Sequence, residues 1–287
     1  MAEAKVGIIG GTGLYQIEGM TDIKETKVKT PFGDPSDAIT LGDLEGVKIA
    51  FLPRHGKGHR ISPTELPARA NIYALKSLGV EWIISVATVG SLKEKIKPLD
   101  IVIPDQIIDR TFLRPSTFFG RGIVGHIPFA EPFCSVLSDI LYESARTTGV
   151  EVHDGGTCIT MEGPQFSTRA ESELYRSWAA DIIFMTGLPE AKLAREAEIC
   201  YATIAIVTDY DCWKEAFETV SAEMIIANLK QSAETAKKIL RNAVTRLPQT
   251  RDCVCTNALQ NAIITSPELI PEQVKKDLEL IIGKYIK

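Results

Sequence analysis

Hydrophobic residues occur along this chain in short continuous runs that alternate with longer stretches of helical character. The runs are apolar at consecutive positions rather than at every second position, which is typical of strands buried on both faces of a sheet. This pattern predicts strands at residues 6–9, 47–52, 82–86, 101–103, 182–185 and 201–207.

Helices are predicted between and after these strands, where the apolar residues follow an amphipathic pattern. One helix start is marked by Thr168 with Glu171 three residues later, which is the signature of a capping box. The predicted helices cover residues 65–78, 132–148, 168–178, 188–196, 221–244 and 271–286.

The alternation of strands and helices indicates an α/β fold. We expect a single domain with a mixed, largely parallel β-sheet flanked by helices. The sequence shows no internal repeat and no low-complexity linker, and residues 248–257 form the one short segment that resembles a joint. We therefore predict an α/β domain over residues 1–250 and a helical extension over residues 251–287, packed on or near the same domain.

Composition and charge exclude several classes of protein. The 287 residues are 45% hydrophobic and 24% charged, the ordinary balance of a globular protein, so disordered and fibrous classes are excluded. The formal net charge is −5, and nucleic acid is not an expected partner because binding its phosphates needs a basic surface. No apolar run approaches the roughly 20 residues of a membrane helix, and residues 1–5 do not begin a secretion signal. We expect a cytoplasmic protein.

The six cysteines contain no Cys-x-x-Cys pair, so the sequence predicts no zinc knuckle and no other metal site. Cys253 and Cys255 are separated by a single residue near the predicted C-terminal helix. They are either reduced thiols, as in most cytosolic proteins, or a redox or stability device. The spacing leaves both interpretations open.

The first predicted strand leads into a glycine-rich turn at residues 10–13. A dinucleotide fingerprint would need glycine at position 16, where the chain has Gln16, and no Gly-Lys-Ser/Thr sequence of a triphosphate loop follows. The turn exposes backbone N–H groups and the Thr12 hydroxyl, which suit a free oxyanion. A tight turn without a ligand explains the same residues equally well.

Polar residues also follow the next predicted strands, and ligands bind at the carboxyl ends of strands in such sheets. Arg54 can offer its planar guanidinium fork to two oxygens of a phosphate. Together with Thr12, His55, Thr88 and Thr186, it would surround one tetrahedral anion. No carboxylate or magnesium-binding arrangement stands among these residues, which favours orthophosphate over a nucleoside triphosphate.

His55 and His59 have the i, i+4 spacing of a metal-binding pair on a helix. Gly56 and Gly58, however, indicate a loop between them. We therefore do not expect a metal at these histidines.

Two carboxylates, Asp209 and Asp211, stand two residues apart after the last predicted strand. They are too close in sequence to flank a glycosidic bond as the acid and base of a glycosidase do. In one interpretation they form a solvated strand end. In the other they bind the edge of a purine, one accepting from an exocyclic amino group and the other sharing a proton with a ring nitrogen, while Phe166 stacks on the base.

Several of these motifs occur together in one known family. The runs at residues 7–13, 30–37, 54–56, 162–172 and 208–213 closely resemble motifs of the trimeric purine nucleoside phosphorylase family, and especially of its members that act on S-methyl-5′-thioadenosine. The resemblance extends from about residue 5 to residue 245, with the motifs in family order. It implies the nucleoside phosphorylase-like version of the predicted fold.

The resemblance also implies roles for individual residues. Met185 would lie under the ribose, Ser167 and Ala222 would help to set specificity, and His126 would complete the pocket of a neighbouring subunit. Asp209 and Asp211 would be the catalytic and purine-reading residues, with Tyr210 and Phe166 also at the substrate. The implied phosphate contacts are Thr12, Arg54, His55, Ala87, Thr88 and Thr186.

The reaction implied by the resemblance is reversible phosphorolysis of S-methyl-5′-thioadenosine to adenine and S-methyl-5-thio-α-D-ribose 1-phosphate. Phosphate would be a co-substrate, without metal or organic cofactor, and the assembly a homotrimer or a dimer of trimers. A phosphorylase for 6-oxopurine nucleosides or methylthioinosine is the alternative, but Ser167 and Asp209 stand where those relatives typically have glutamate and asparagine. A non-catalytic nucleoside-binding module is disfavoured because both a phosphate site and a purine site are expected.

Overall fold

The fold is built around one long strand, β5, at the centre of a mixed sheet. The computed structural model describes residues 2–14, 18–214 and 222–286, and the side chains of residue 12 and residues 222–231 lie outside this description. The strands are β1 (Val6–Gly10), β2 (Met20–Thr26), β3 (Ile39–Leu44), β4 (Val47–Pro53), β5 (Trp82–Ser91), β6 (Ile101–Ile103), β7 (Gln106–Arg110), β8 (Val152–Asp154), β9 (Thr157–Met161), β10 (Ile182–Phe184) and β11 (Cys200–Asp209).

The strands follow the order β2-β3-β4-β1-β5-β10-β9-β7, and β11 pairs with β5 and β6 while β6 pairs with β8. Parallel pairs join β1 to β4 and β5, β11 to β5, β9 to β10 and β7, and β6 to β8. The remaining pairs, β10 with β5, β11 with β6, and β3 with β2 and β4, are antiparallel. The predicted α/β fold with a mixed, largely parallel sheet is confirmed.

Helices cover the two faces of this sheet and pack into two large hydrophobic cores. The helices are α1 (Ala68–Ser77), α2 (Ser135–Arg146), α3 (Arg169–Ser177), α4 (Glu190–Glu196), α5 (Ala222–Val244) and α6 (Glu272–Ile282). Side chains of α1, α4 and α6 belong to one core, side chains of α2 and α5 belong to the other, and Tyr175 of α3 belongs to a third, smaller cluster. Because both faces are buried, β1, β5 and β11 carry the continuous apolar runs of the sequence.

Three helices begin two or three residues later than the hydrophobic pattern predicts. One is α2, which begins at Ser135 instead of residue 132, and a proline explains the other two cases. Pro67 precedes α1, which begins at Ala68 instead of residue 65. Pro189 precedes α4, which begins at Glu190 instead of residue 188. The residue before a proline is sterically disfavoured from helical geometry, so the helix starts only after it.

The predicted capping box at the start of α3 is present. The Thr168 hydroxyl oxygen accepts from the Glu171 backbone N–H at 3.2 Å, and the Glu171 carboxylate accepts from the Thr168 backbone N–H at 2.7 Å. Two N–H groups of the first helical turn that lack helical partners are thereby satisfied.

The strand predictions were wrong in two respects. Strands β2, β3, β7, β8 and β9 were missed, since edge strands such as β2 and β7 expose much of their surface and lack a continuous apolar run. β5 and β11 are also longer than predicted, because Thr88 and Asp209 lie inside the hydrogen-bonded ladder rather than after it. Periodicity assigns such polar residues to loops, although their backbones pair like those of their apolar neighbours.

The C-terminal segment packs on the same core as α1 and α4. Leu259, Ile270, Val274 and Leu278 are buried in it, although the predicted domain boundary at residue 250 stays a prediction. Among the described residues, the helices are too short or too polar to span a bilayer.

Candidate active site

A cavity of about 690 Å³ opens at the carboxyl ends of β1, β4, β5, β10 and β11. Its volume lies within the range of about 300–1,000 Å³ that is typical of small-molecule sites. Most lining side chains are apolar, and a few polar groups converge among them. The predicted site residues that line it are Arg54, His55, Ala87, Thr88, Phe166, Met185, Thr186, Asp209 and Asp211.

Other predicted residues lie elsewhere. Tyr210 does not line the cavity and instead packs edge-on against Trp213, with ring centroids 5.8 Å apart, and its contact with the substrate stays a prediction. Ser167 is buried just outside the lining, and exposed His126 is not part of the cavity of its own protomer. The side chains of Thr12 and Ala222 lie outside the described residues.

A β-bulge brings two consecutive polar side chains of β11 to the cavity. Val207 pairs with Val89 and Asp209 with Gly90, so Thr208 is an extra residue in the ladder. In a regular strand, successive side chains point to opposite faces. Because the bulge changes this alternation, Thr208 and Asp209 both reach the cavity, as bulges next to active sites commonly arrange.

Asp209 is a buried carboxylate held by short hydrogen bonds, and Asp211 beside it is partly buried. The Thr208 hydroxyl donates to Asp209 Oδ2 at 2.7 Å, and the Asp211 backbone N–H donates to Asp209 Oδ1 at 2.8 Å. Burial raises the pKa of Asp209, the Asp211 charge raises it further, and these hydrogen bonds lower it in part. Burial also raises the pKa of Asp211. Both carboxyls therefore hold a proton more readily than exposed aspartates do.

Gly90 lets β5 approach these aspartates closely. A Cβ atom at this position would lie 2.9 Å from Asp209 Oδ1 and 3.2 Å from Ile183 Cγ2. Any larger residue would thus displace the carboxylate or the strand beside it.

Arg54 reaches the cavity, but its guanidinium fork is already occupied. Nε donates to Glu190 Oε1 at 2.6 Å and Nη2 to Glu190 Oε2 at 3.2 Å. Nη1 donates to the Val86 carbonyl at 2.9 Å, and Nη2 also donates to the Ser85 hydroxyl at 2.7 Å. Of five N–H groups, one on Nη1 stays without a partner among the described residues. The fork holds Glu190 in this structure, and the two-pronged contact of Arg54 with phosphate stays a prediction.

His55 is a neutral imidazole with a defined tautomer. Its Nδ1 lies 2.9 Å from the Ile61 carbonyl oxygen, which can only accept, so Nδ1 carries the proton and Nε2 is left as an acceptor. Burial and the Arg54 charge lower the pKa of His55 to about 4. The His59 ring stacks on it with centroids 4.3 Å apart and also lines the cavity.

Arg114, which sequence analysis missed, fastens together the segments after β9 and β10. Its guanidinium pairs with Glu162 Oε1 at 2.9 Å and donates to the backbone carbonyls of Glu162, Met185 and Leu188 at 2.6, 2.7 and 2.8 Å. These segments carry Phe166 and Met185, two of the cavity residues. The signal that could have identified Arg114 is weak, since an arginine in a loop is common.

Glu162, the carboxylate partner of Arg114, also accepts hydrogen bonds from the loop that begins at Phe112. Burial raises its pKa, but hydrogen bonds from Phe112, Arg114, Leu113 and Thr64 outweigh burial and bring the pKa of Glu162 to about 2. The loop that begins at Phe112 is thus tied to the segment that carries Phe166. The arrangement fixes one wall of the cavity.

The fold and the cavity agree with the nucleoside phosphorylase family that the sequence motifs indicate. The family model of the phosphorylase superfamily matches residues 5–245. The chain belongs to this superfamily, and the resemblance described from the sequence is confirmed.

The similarity extends over the whole length of individual relatives. An S-methyl-5′-thioadenosine phosphorylase of Geobacter sulfurreducens is 57% identical over 285 residues, covering 99% of this chain and 100% of that protein. A crystal structure of a methylthioadenosine phosphorylase from an antarctic soil metagenomic library has a TM-score of 0.93 at 49% identity, covering 98% of this chain and 99% of the other. The methylthioadenosine phosphorylase of Schistosoma mansoni in complex with adenine has a TM-score of 0.83 at 36% identity, covering 98% of both chains.

Proposed function

We propose that this protein catalyses the reversible phosphorolysis of S-methyl-5′-thioadenosine to adenine and S-methyl-5-thio-α-D-ribose 1-phosphate. The observation that carries the proposal is that Asp209 and Asp211 line a cavity that also holds the His55, Thr88 and Thr186 side chains. The full-length relatives named for this reaction support the substrate. Phosphate is the second substrate, and the proposal requires no organic cofactor.

Cleavage of the glycosidic bond develops positive charge on the ribose ring and negative charge on the departing purine. A phosphate anion beneath the sugar stabilises the first charge and then bonds to the anomeric carbon, while a proton delivered to purine N7 neutralises the second. Asp209 is suited to deliver that proton, because burial raises its pKa and keeps the carboxyl protonated at higher pH. The hydrogen bonds from Thr208 and Asp211 fix its orientation.

Asp211 is proposed to select the 6-amino group of adenine. An ionised carboxylate accepts hydrogen bonds and cannot donate, so it binds an amino group and repels a 6-oxo oxygen. Phe166 and Met185, both at the cavity, would pack against the base and the ribose.

The protein groups that would bind phosphate in the cavity are proposed to carry little net charge. Arg54 is paired with Glu190, and His55 is neutral. The donors left for phosphate are the Thr88 and Thr186 hydroxyls, backbone N–H groups of the turn after β1, and one N–H of Arg54. His55 Nε2, an acceptor, suits a phosphate oxygen that still carries a proton.

Phosphate-dependent release of adenine from S-methyl-5′-thioadenosine is the direct test. Release without phosphate would indicate a hydrolase, and binding without release would indicate a nucleoside-binding module. Asp211→Asn should lose about ten- to a hundred-fold in kcat/KM for the amino substrate, as expected when a charge-assisted hydrogen bond of roughly 1.5–3 kcal/mol is removed, and methylthioinosine should gain relative to it. Asp209→Asn should lower kcat more than it weakens binding, since an amide cannot give up a proton.

Asp100→Asn is the matched control for these two variants. Asp100 is also buried, but it pairs with His153 at 2.8 Å and does not line the cavity. It should leave the base preference and the phosphate KM unchanged. An unaltered base preference in Asp211→Asn, together with full kcat in Asp209→Asn, would refute the roles of both aspartates.

The active assembly is proposed to be a homotrimer in which His126 completes a neighbouring pocket. An exposed apolar patch supports an interface beside the cavity: Phe112, Leu113 and Trp178 are 72%, 74% and 42% exposed, and the Arg110 guanidinium lies over the Phe112 and Trp178 rings. Sedimentation should give a trimer or a multiple of it, and His126→Ala should raise the nucleoside KM. A fully active monomer would contradict this assembly.

A further inference from the structure

Four cysteines that are distant in sequence converge at the amino end of β11. Cys134 precedes α2, Cys200 is the first residue of β11, and Cys253 and Cys255 belong to the C-terminal segment, around a 3-10 turn at Val254–Asn257. All four Sγ atoms lie within 4.8 Å of one another. We refer to Cys134, Cys200, Cys253 and Cys255 as the four-cysteine cluster.

The spacing of these sulfur atoms is close to that of a tetrahedral metal site. A zinc ion bound to four thiolates at about 2.3 Å places neighbouring sulfur atoms about 3.8 Å apart. The Sγ atoms of Cys200 and Cys253 are 3.3 Å apart, and no pair in the cluster exceeds 4.8 Å. Shifts of about 1 Å or less in each sulfur–sulfur distance would therefore complete the coordination.

The surroundings favour a soft metal ion and deny it other ligands. Cys134, Cys200 and Cys255 are at most 2% exposed and lie in the core formed by α2 and α5, while partly exposed Cys253 packs against it. Among the described residues, no histidine or carboxylate joins the cluster. Sites made only of thiolates bind zinc or Cu(I) and not calcium or magnesium, which prefer oxygen ligands.

Positive potential is also present to offset the charge of four thiolates. Cys134 is the N-cap residue of the 12-residue helix α2, where the helix dipole favours negative charge. The Arg195 guanidinium is bound to the carbonyls of Pro128 and Glu131, on the segment that leads into Cys134. These two features reduce the cost of burying a tetrathiolate site, whose net charge with Zn²⁺ is −2.

We propose that the four-cysteine cluster is a structural zinc site that fastens the C-terminal segment to the sheet. Binding converts four thiols and Zn²⁺ into a zinc tetrathiolate and releases four protons to the solvent. The site is separate from the reaction, because Cys200 and Asp209 are the two ends of β11, about 30 Å apart at about 3.3 Å per residue. Two ligands come from the core and two from the C-terminal segment, so metal binding stabilises the docking of that segment.

Zinc content of the full chain is the first test. The protein is purified under reducing conditions without a metal-affinity column, and zinc is measured by elemental mass spectrometry. We expect one zinc per chain in the wild type and in the control Cys158→Ser, which replaces a buried cysteine outside the cluster. The double variant Cys253→Ser/Cys255→Ser should contain almost none. Equal zinc in this variant and the wild type would overturn the proposal.

A cobalt titration of the wild type tests whether thiolates bind the metal. It does not depend on whether the cysteine variants fold. Metal-free wild type should develop a thiolate-to-Co(II) charge-transfer band and strong visible bands of tetrahedral Co(II), saturating at one equivalent and lost when zinc is added. Affinity should weaken steeply as the pH falls, since protons compete with the metal. A spectrum without thiolate charge transfer would overturn the proposal, as would wild type that contains neither zinc nor affinity for cobalt.

The intact mass and the melting temperature distinguish the remaining outcomes. A mass two hydrogens lower per bridge, in protein that takes up no metal after reduction, would identify disulfides and overturn the zinc site. Zinc removal should lower the melting temperature of the wild type and of Cys158→Ser while leaving kcat for phosphorolysis unchanged at moderate temperature. Loss of kcat without loss of stability would overturn the structural role.

Discussion

The buried ion pair between Arg54 and Glu190 leads to a specific prediction for a double-mutant cycle. Both side chains are almost fully buried, at 2% and 4% exposed, and the Tyr201 hydroxyl also donates to Glu190 Oε2 at 3.0 Å. The cycle consists of Arg54→Met, Glu190→Gln and the double variant. Methionine retains the length of the arginine stem and removes its charge.

The expected loss in the free energy of unfolding follows from the contacts of the two side chains. Arg54→Met leaves Glu190 with the Tyr201 hydroxyl as its one side-chain partner in the described part of the chain, and removal of one partner of a buried pair costs about 3–5 kcal/mol. The Val86 carbonyl and Ser85 hydroxyl also lose their donor. In the double variant no charge is left unpaired, so its cost should fall short of the sum of the single costs by about 1–3 kcal/mol.

Urea unfolding measures these free energies. All variants are compared at one protein concentration, because association contributes to apparent stability. The control is the partly exposed pair of Lys192 and Asp109, joined at 2.6 Å, for which Lys192→Met should cost less than about 1 kcal/mol. The phosphate KM of Arg54→Met, measured at a temperature where the variant is folded, should rise only modestly, since only one N–H of Arg54 lacks a partner among the residues that the structure describes.

Two results would refute this reasoning. If Arg54→Met unfolds at the same urea concentration as the wild type while its phosphate KM rises by orders of magnitude, the fork binds phosphate and its contact with Glu190 is incidental. If the two single costs are additive, the pair does not stabilise the fold.

Two further predictions concern the cavity wall and the pH dependence of stability. Gly90→Ala places a Cβ atom 2.9 Å from Asp209 Oδ1 and should lower kcat on the order of ten- to a hundred-fold in steady-state assays; unchanged kcat would show that Asp209 tolerates displacement. Burial raises the pKa of Glu196 to about 7, above its ordinary 4.5, so its contribution to stability is complete below pH 4.5 and is lost as the pH rises through 7. Glu196→Gln should remove this dependence, which amounts to about 3 kcal/mol by pH 8, and parallel stability profiles of the two proteins would contradict it.

Much of the site could be predicted from the sequence because the sheet is largely parallel. The carboxyl ends of parallel strands meet at one edge, so residues that follow separate apolar runs are brought together whatever their distance along the chain. Arg54, Thr88 and Asp209 follow this rule, and all three line one cavity; Thr186 also lines it, although β10 runs antiparallel to β5. The start of α3 was likewise predictable, because a capping box depends only on residues three positions apart.

The features of the site that could not be predicted depend on contacts between residues distant in sequence. Arg54 and Glu190 are 136 positions apart, and no local pattern indicates that a carboxylate fills the arginine fork. The bulge that brings Asp209 to the cavity is a register shift between β11 and β5, which depends on both strands. The assembly of Arg114 with the carbonyls after β9 and β10 has the same origin.

The sequence by itself determined the apolar runs, the helix start at Thr168, and the polar residues at strand ends, since each depends on neighbours a few positions apart. Only the tertiary structure decided which partner each buried polar group has. The four-cysteine cluster shows the difference: its members are spread from residue 134 to residue 255, and only the packing of the C-terminal segment against α2 and β11 brings their sulfur atoms within 4.8 Å. Buried polar atoms must find partners because water is excluded, and the packing of distant segments decides which partners are within reach.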